Sequence, residues 1–300
     1  MQPLNKSQLI TELREITQAG MKDCNDALKE AGYDLQAAVD IIKAKGKNIV
    51  SGRSGKIASE GRIAVATTPR GFVMVEVNCQ TDFVANSPEF KSFADKTAER
   101  ISRSVNEGRP FDVSEVEVDR AELVSRTKEN VVVRRWWIQE VGNNKAMVAN
   151  YLHGNKIGVL LTVLVSDENV LAHPELPAIA EGLAMQVAAM NPIEVSLYEL
   201  PPHIVSRQRA IFETQLRELN KPEASWPKIL EGKFNKWYTE VCLLNQESIM
   251  VPKKTVKEYL SDVGKSLGGE IQVVNFIRCQ VGEGIDKPQE DFANEVTKLI

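Results

Sequence analysis

Histidine, cysteine and single-sign charge are all scarce in this chain, and each scarcity excludes a class of function. Only three histidines occur in 300 residues, His153, His173 and His203. None is followed four residues later by another ligand type or sits in a zinc spacing, so no metal site is expected. The four cysteines, Cys24, Cys79, Cys242 and Cys279, contain no C-x-x-C pair. The stretch "MQPLNKSQLITEL" also lacks the charged start and apolar run of a secretory leader. Free thiols in a reducing cytoplasm are therefore expected. No apolar run approaches the roughly 18 residues that a membrane span needs, so no membrane is expected either. Acidic residues number 41 against 37 basic ones, giving a net charge of −4. Such a balance supplies no basic field for phosphates, and no direct nucleic-acid partner is expected.

Glycine-rich phosphate cradles are missing as well. Gly55-Lys56 is followed by Ile57 where a phosphate loop needs Ser or Thr, and "VGEGIDK" has Gly282 and Gly284 but no third glycine. No cofactor is expected. The basic-aromatic run "VVVRRWWI" carries Arg134 and Trp136 on one strand face and Arg135 and Trp137 on the other. One ring and one guanidinium per face is too little for a base-stacking platform.

What is present is 43% apolar residues, ample for a core in each of two domains. Residues 1–46 read as three short amphipathic helices, with Ser7 and Asp34 as caps and Gly46 as a stop, forming a small docking domain. Residues 47–61, rich in Gly, Ser and Lys, read as a linker. Two further regions repeat one order, a strand pair followed by a helix. In 62–146 the strands Arg62–Thr68 and Phe72–Val77 precede a helix capped by Ser87 with Pro88 in its first turn, and Val131–Ile138 is a further strand. In 147–282 the strands Met147–Leu152 and Ile157–Val165 precede a helix carrying Ile179, Leu183, Val187 and Met190. That second region also holds a helical hairpin, residues 203–242, and a strand at Ile271–Val281. Residues 283–300 read as a C-terminal helical module bearing Phe292. The fold class is α+β with antiparallel sheets.

One stretch, "EVNCQTDFVANSPEF", sets a large apolar ring, Phe83, beside a carboxylate between strand and helix. Either Phe83 closes its own core or it points outward to a receiver. The neighbouring Cys79 could be a nucleophile if a histidine such as His153 lay near it, although thiols at strand ends more often pack. A cysteine-dependent enzyme using Cys79 and an RNA-associated factor are the alternatives to be weighed.

Collinear motifs over almost the whole chain, "LREITQAGMKDCNDAL", "NCQTDFVANSPEF", "HGNKIGVLL", "VPKKTV" and "VGEGIDKPQEDFANEV", resemble the bacterial elongation factor Ts family. The resemblance implies a ubiquitin-associated-like three-helix domain, a linker, two related α+β subdomains, an inserted antiparallel helical hairpin and a C-terminal helix. It also implies a protein that is not an enzyme but a guanine nucleotide exchange factor. Its partner would be elongation factor Tu, in GDP-bound and nucleotide-free forms. Homodimerisation through the hairpin is left open. The family's Thr81-Asp82-Phe83-Val84 core would present the wedge Asp82-Phe83 to the partner's GTPase domain. Arg14 and Met21, His153, the pair Ile249-Met250 and Phe292 match further partner-binding positions. The chain departs from the family's Thr-Gly-Ala-Gly-Met-Met at Gln18 and Lys22, has Asn25 where lysine is usual, and lacks a proline after the glutamine of "LLNQESIM".

Overall fold

The computed structural model describes residues 6–17, 20–42, 55–142 and 145–286. The chain divides into two compact units. The first is drawn from Met1–Ala64, Val75–Trp136 and Gln280–Ile300, the second from Val65–Met74 and Trp137–Cys279.

In the first unit, α1 (Lys6–Thr17), α2 (Met21–Glu30) and α3 (residues 35–42) close a small core around Leu13, Cys24, Ala27, Leu28, Ala38 and Val39. Asp34 caps α3, its Oδ1 accepting the Ala37 amide at 2.7 Å. Ser7 does not cap α1: the helix already includes Lys6, and the Ser7 carbonyl accepts the Thr11 hydroxyl one turn on. Gly46, most of the linker and the C-terminal helix with Phe292 lie outside the described residues.

Two three-stranded antiparallel sheets follow the predicted duplication. The first has the order β1 (Glu60–Thr68), β2 (Gly71–Cys79), β3 (Val132–Glu140). The second has the order β4 (Ala146–His153), β5 (Ile157–Val165), β6 (Ile271–Gln280). In both, a hairpin is followed by helices and the third strand joins the middle one. The register of β4 and β5 runs from Ala146 opposite Leu164 to His153 opposite Ile157. Its turn, Gly154-Asn155, has positive φ at both positions, the requirement of a tight hairpin turn.

Helices complete each half. After β2 come the short α4 (Asp82–Asn86), then α5 (Pro88–Asn106), whose Phe90, Phe93, Ala94, Ala98 and Ile101 are buried, then α6 (Glu117–Thr127). After β5 come the short α7 (Glu168–Leu171) and α8 (Leu176–Met190), which packs on β4 and β5 through Leu183, Ala184 and Val187. Met190, expected on the core face, is exposed, because α8 ends there with Asn191 in the left-handed region ahead of Pro192. The inserted hairpin, α9 (Pro202–Glu218) and α10 (Trp226–Val241), has an aromatic core of its own: Phe212 meets Phe234 edge-on at 5.3 Å, and Phe234 meets Trp237. Finally α11 (Val256–Ser266), opened by a Thr255–Glu258 capping box, leads into β6.

Candidate functional site

The segment leaving β2 is held by its own backbone groups and by one distant carboxylate. Thr81 is the N-cap of α4, its Oγ1 accepting the Val84 amide at 3.3 Å. That same hydroxyl donates to Glu129 Oε1 at 2.7 Å, while Glu129 Oε2 accepts the amides of Gln80 and Thr81, each at 3.1 Å. Three donors on a single carboxylate fix the entry to α4. The exit is fixed as closely: Ser87 Oγ donates to the Val84 carbonyl at 2.8 Å and accepts the Phe90 amide at 3.2 Å, and Ala85 is buried beneath. A helix of five residues is far too short to persist alone, so these bonds are what give it shape.

On this braced turn Phe83 is 85% exposed. Asp82 precedes it at the first helical position, where a carboxylate favours the helix N-terminus. Val84 is half-buried. Of the two orientations open to Phe83 in the sequence, the outward one is found. A single exposed apolar side chain is ordinary on a protein surface; what sets this ring apart is the braced turn that presents it.

Other predicted positions are distributed more widely. In the first unit Met21, at the start of α2, is 62% exposed, and Arg14 is exposed on α1. In the second unit His153 is exposed at the end of β4, where its Nδ1 lies 3.2 Å from the Tyr151 hydroxyl. Ile249 and Met250 part company. Ile249 is 42% exposed, whereas Met250 packs on the core and lies beside Gly182 of α8. Buried Gln186 positions the pair, its Oε1 accepting the Ile249 amide at 2.8 Å and its Nε2 donating to Gln246 Oε1 and the Glu247 carbonyl. These two glutamines shape the loop in which the family's usual proline is absent.

Cys79 is fully buried and donates its thiol hydrogen bond to the Thr81 carbonyl at 3.2 Å, an arrangement for packing and not for attack. Burial also pushes the Cys24 thiol up, and burial with Glu194 and Glu199 pushes Cys242 up to about 11. Among the described residues no cluster of side chains could hold a metal ion, and no helix is long and apolar enough to cross a membrane.

Two residues of consequence escaped the sequence reading. Glu129 stands 48 residues from the turn it holds, with no local signature. Glu76, in the middle strand, is fully buried and takes Arg134 Nη1 at 3.1 Å, Arg135 Nε at 2.5 Å and the Gly282 amide at 2.8 Å. Burial alone would raise its pKa, but the Gly282 amide and Arg135 outweigh that and hold the carboxyl below the usual range. The alternation of β3 separates the two arginine stems, yet their guanidinium groups meet at this one acid. They also bind the far end of the chain's last strand, Arg134 through the Glu283 carbonyl in the turn after β6 and Arg135 through the Gln280 carbonyl at the end of β6.

Comparison with known proteins gives a consistent result. The family model for elongation factor TS matches residues 80–283, a span that starts at this turn. The chain is 37% identical to elongation factor Ts of Clostridium kluyveri over 306 aligned residues, covering 98% of both chains. It is 37% identical to that of Symbiobacterium thermophilum, with 97% of each covered, and 38% identical to that of Shewanella amazonensis, with 97% of this chain and 96% of the relative covered. With the outward Phe83 on its capped turn, the duplicated sheets and matches along nearly its full length, the chain belongs to the elongation factor Ts family of translation elongation factors.

Proposed function

We propose that this protein binds elongation factor Tu in the cytoplasm and accelerates GDP release by seating Phe83, with Asp82 beside it, between helices of the partner's GTPase domain. Family membership supports the exchange activity, and the observation that carries the wedge is a ring 85% exposed on a turn held at both ends. No bond is made or broken. A nucleotide held at nanomolar affinity retains about 12 kcal/mol of binding free energy, so release is slow unless part of that is offset. An exchange factor offsets it by preferring the nucleotide-free or distorted partner, and by linkage GDP weakens the factor's binding by the same ratio. Inserting a rigidly presented ring suits this task, because its burial is realised only when the partner's helices part.

Arg14 and Met21 on the N-terminal helices, and Phe292, are assigned to the GTPase domain as well. His153 and the Ile249-Met250 loop are assigned to further contacts, with Ile249 the member that offers surface. The direct test is release of labelled GDP from elongation factor Tu. Phe83→Ala is expected to lower the stimulated rate roughly 10- to 100-fold, the equivalent of one buried ring, while its melting temperature stays within about 2 °C of the parent's. A variant that keeps full exchange activity would refute the wedge.

A further inference from the structure

We propose that Glu129 is a positioning residue for nucleotide exchange, acting through Phe83 by fixing the direction in which the ring is presented. The proposal rests on the wedge reading above. Its basis is the convergence of Gln80 N, Thr81 N and Thr81 Oγ1 on the two oxygens of Glu129, at 3.1, 3.1 and 2.7 Å. These donors lie immediately before Asp82-Phe83, so the carboxylate sets the angle at which the five-residue helix leaves the strand.

Two further observations point to Glu129 as part of a built support. Lys128, one residue earlier, closes α6 in the left-handed region at φ 59°, which turns the chain so that Glu129 faces the β2 end. Its neighbours anchor the same segment elsewhere: Lys128 Nζ lies 3.4 Å from Asp23 Oδ2 on α2, and Asn130 Nδ2 donates to the Lys56 carbonyl at 2.7 Å. Three consecutive side chains thus tie the α2 helix, the turn and the segment before β1 to one short stretch.

The second half of the protein offers a control. There the corresponding turn is capped by Asp167, which alone accepts the Asn169 and Val170 amides at 2.9 and 3.2 Å. At its third-strand entry Glu270, directly before β6, meets that turn through backbone, its carbonyl accepting the Ser166 amide and its amide donating to Ser166 Oγ, while Gly268, placed before β6 as Glu129 is before β3, has no side chain to offer. A carboxylate is brought in from the third-strand entry only where the turn carries the exposed phenylalanine. The second half forms the same turn without it.

The experiment compares Glu129→Ala, Glu129→Gln, Phe83→Ala and the Phe83→Ala/Glu129→Ala double variant. It measures GDP release from elongation factor Tu at rising factor concentration, alongside melting temperature. Glu129→Ala is expected to lower the maximal release rate about tenfold, with the half-saturating concentration changed less than about twofold, because the other contacts are intact. Glu129→Gln, which keeps the shape and one acceptor oxygen, should fall between Ala and the parent, and it carries the test if the alanine variant folds poorly. In the Phe83→Ala background, removal of Glu129 should leave the residual rate unchanged while still lowering the melting temperature. A parental rate for Glu129→Ala and Glu129→Gln beside a crippled Phe83→Ala overturns the positioning role and leaves the wedge standing, as does a Glu129 effect that multiplies with that of Phe83→Ala. A parental rate for Phe83→Ala removes the wedge, and the positioning role falls with it.

Discussion

The two halves of this protein build the same turn and use it differently. In each, the middle strand ends in a side-chain cap, Thr81 or Asp167, followed by a short helix whose third residue turns inward: Val84 is half-buried and Val170 fully so. The second residue of each helix points outward. In the first half that position is Phe83, and in the second it is Asn169. The topology therefore dictates exposure at this point, and the polar copy shows the ordinary way to fill it. A phenylalanine there contributes nothing that the fold needs, which separates its role from stability more cleanly than exposure alone.

Variants that exchange features between the halves test this reading. The largest expected effect lies in the middle strands, at Glu76 and its counterpart Thr162, which is buried and bonded to Gln139 at 2.8 Å. Glu76→Ala should cost about 3 kcal/mol in denaturant unfolding, since it removes the buried acceptor shared by Arg134, Arg135 and the Gly282 amide. Thr162→Val should cost about 1 kcal/mol. Because the folded state depresses the Glu76 pKa, its contribution is present above the ordinary glutamate value and is lost as pH falls through the lowered one. Stability followed by circular dichroism should thus fall as pH drops below the ordinary glutamate value in the parent, and Glu76→Gln should flatten that dependence.

Next in size is Phe83→Asn, which gives the first turn the second turn's residue. Exchange should fall roughly 10- to 100-fold with stability unchanged within about 0.5 kcal/mol. The reciprocal Asn169→Phe should confer no exchange on a Phe83→Asn background; recovery there would show that any exposed ring suffices. Smaller again are the caps. Thr81→Ala and Asp167→Ala should each cost about 1 kcal/mol, measurable as a shift of the unfolding midpoint. Only the former should slow GDP release.

How far the sequence carried this picture depends on the range of the interactions. Local signals held: Asp34 and Ser87 cap their helices, Pro88 sits in the first turn of α5, "HGNK" makes a tight turn, and the hairpin periodicity returns as α9 and α10. Ser7 misled because its residue type favours caps, while the helix had already begun at Lys6. The outward direction of Phe83 was not readable from pattern, since an apolar residue between strand and helix fits a core equally well; the family resemblance decided it. Glu129 and Glu76 were invisible for another reason. Their partners are brought together only by sheet assembly, across 48 residues for Thr81 and 206 for Gly282. At Gly282 the approach is close enough that a Cβ would stand 2.3 Å from the Ser59 carbonyl oxygen, with φ at 74°. A glycine in "VGEG" reads as a turn in sequence, and only the fold shows why no other residue serves there.

The burial of all four native sulfhydryls has a practical corollary. Maleimide dyes will find no accessible native target in the folded protein, so a single cysteine placed at residue 169 or on the outer face of α9 can be labelled selectively. Approach and departure of the partner can then be followed by fluorescence in real time, without first stripping the protein of its own sulfur.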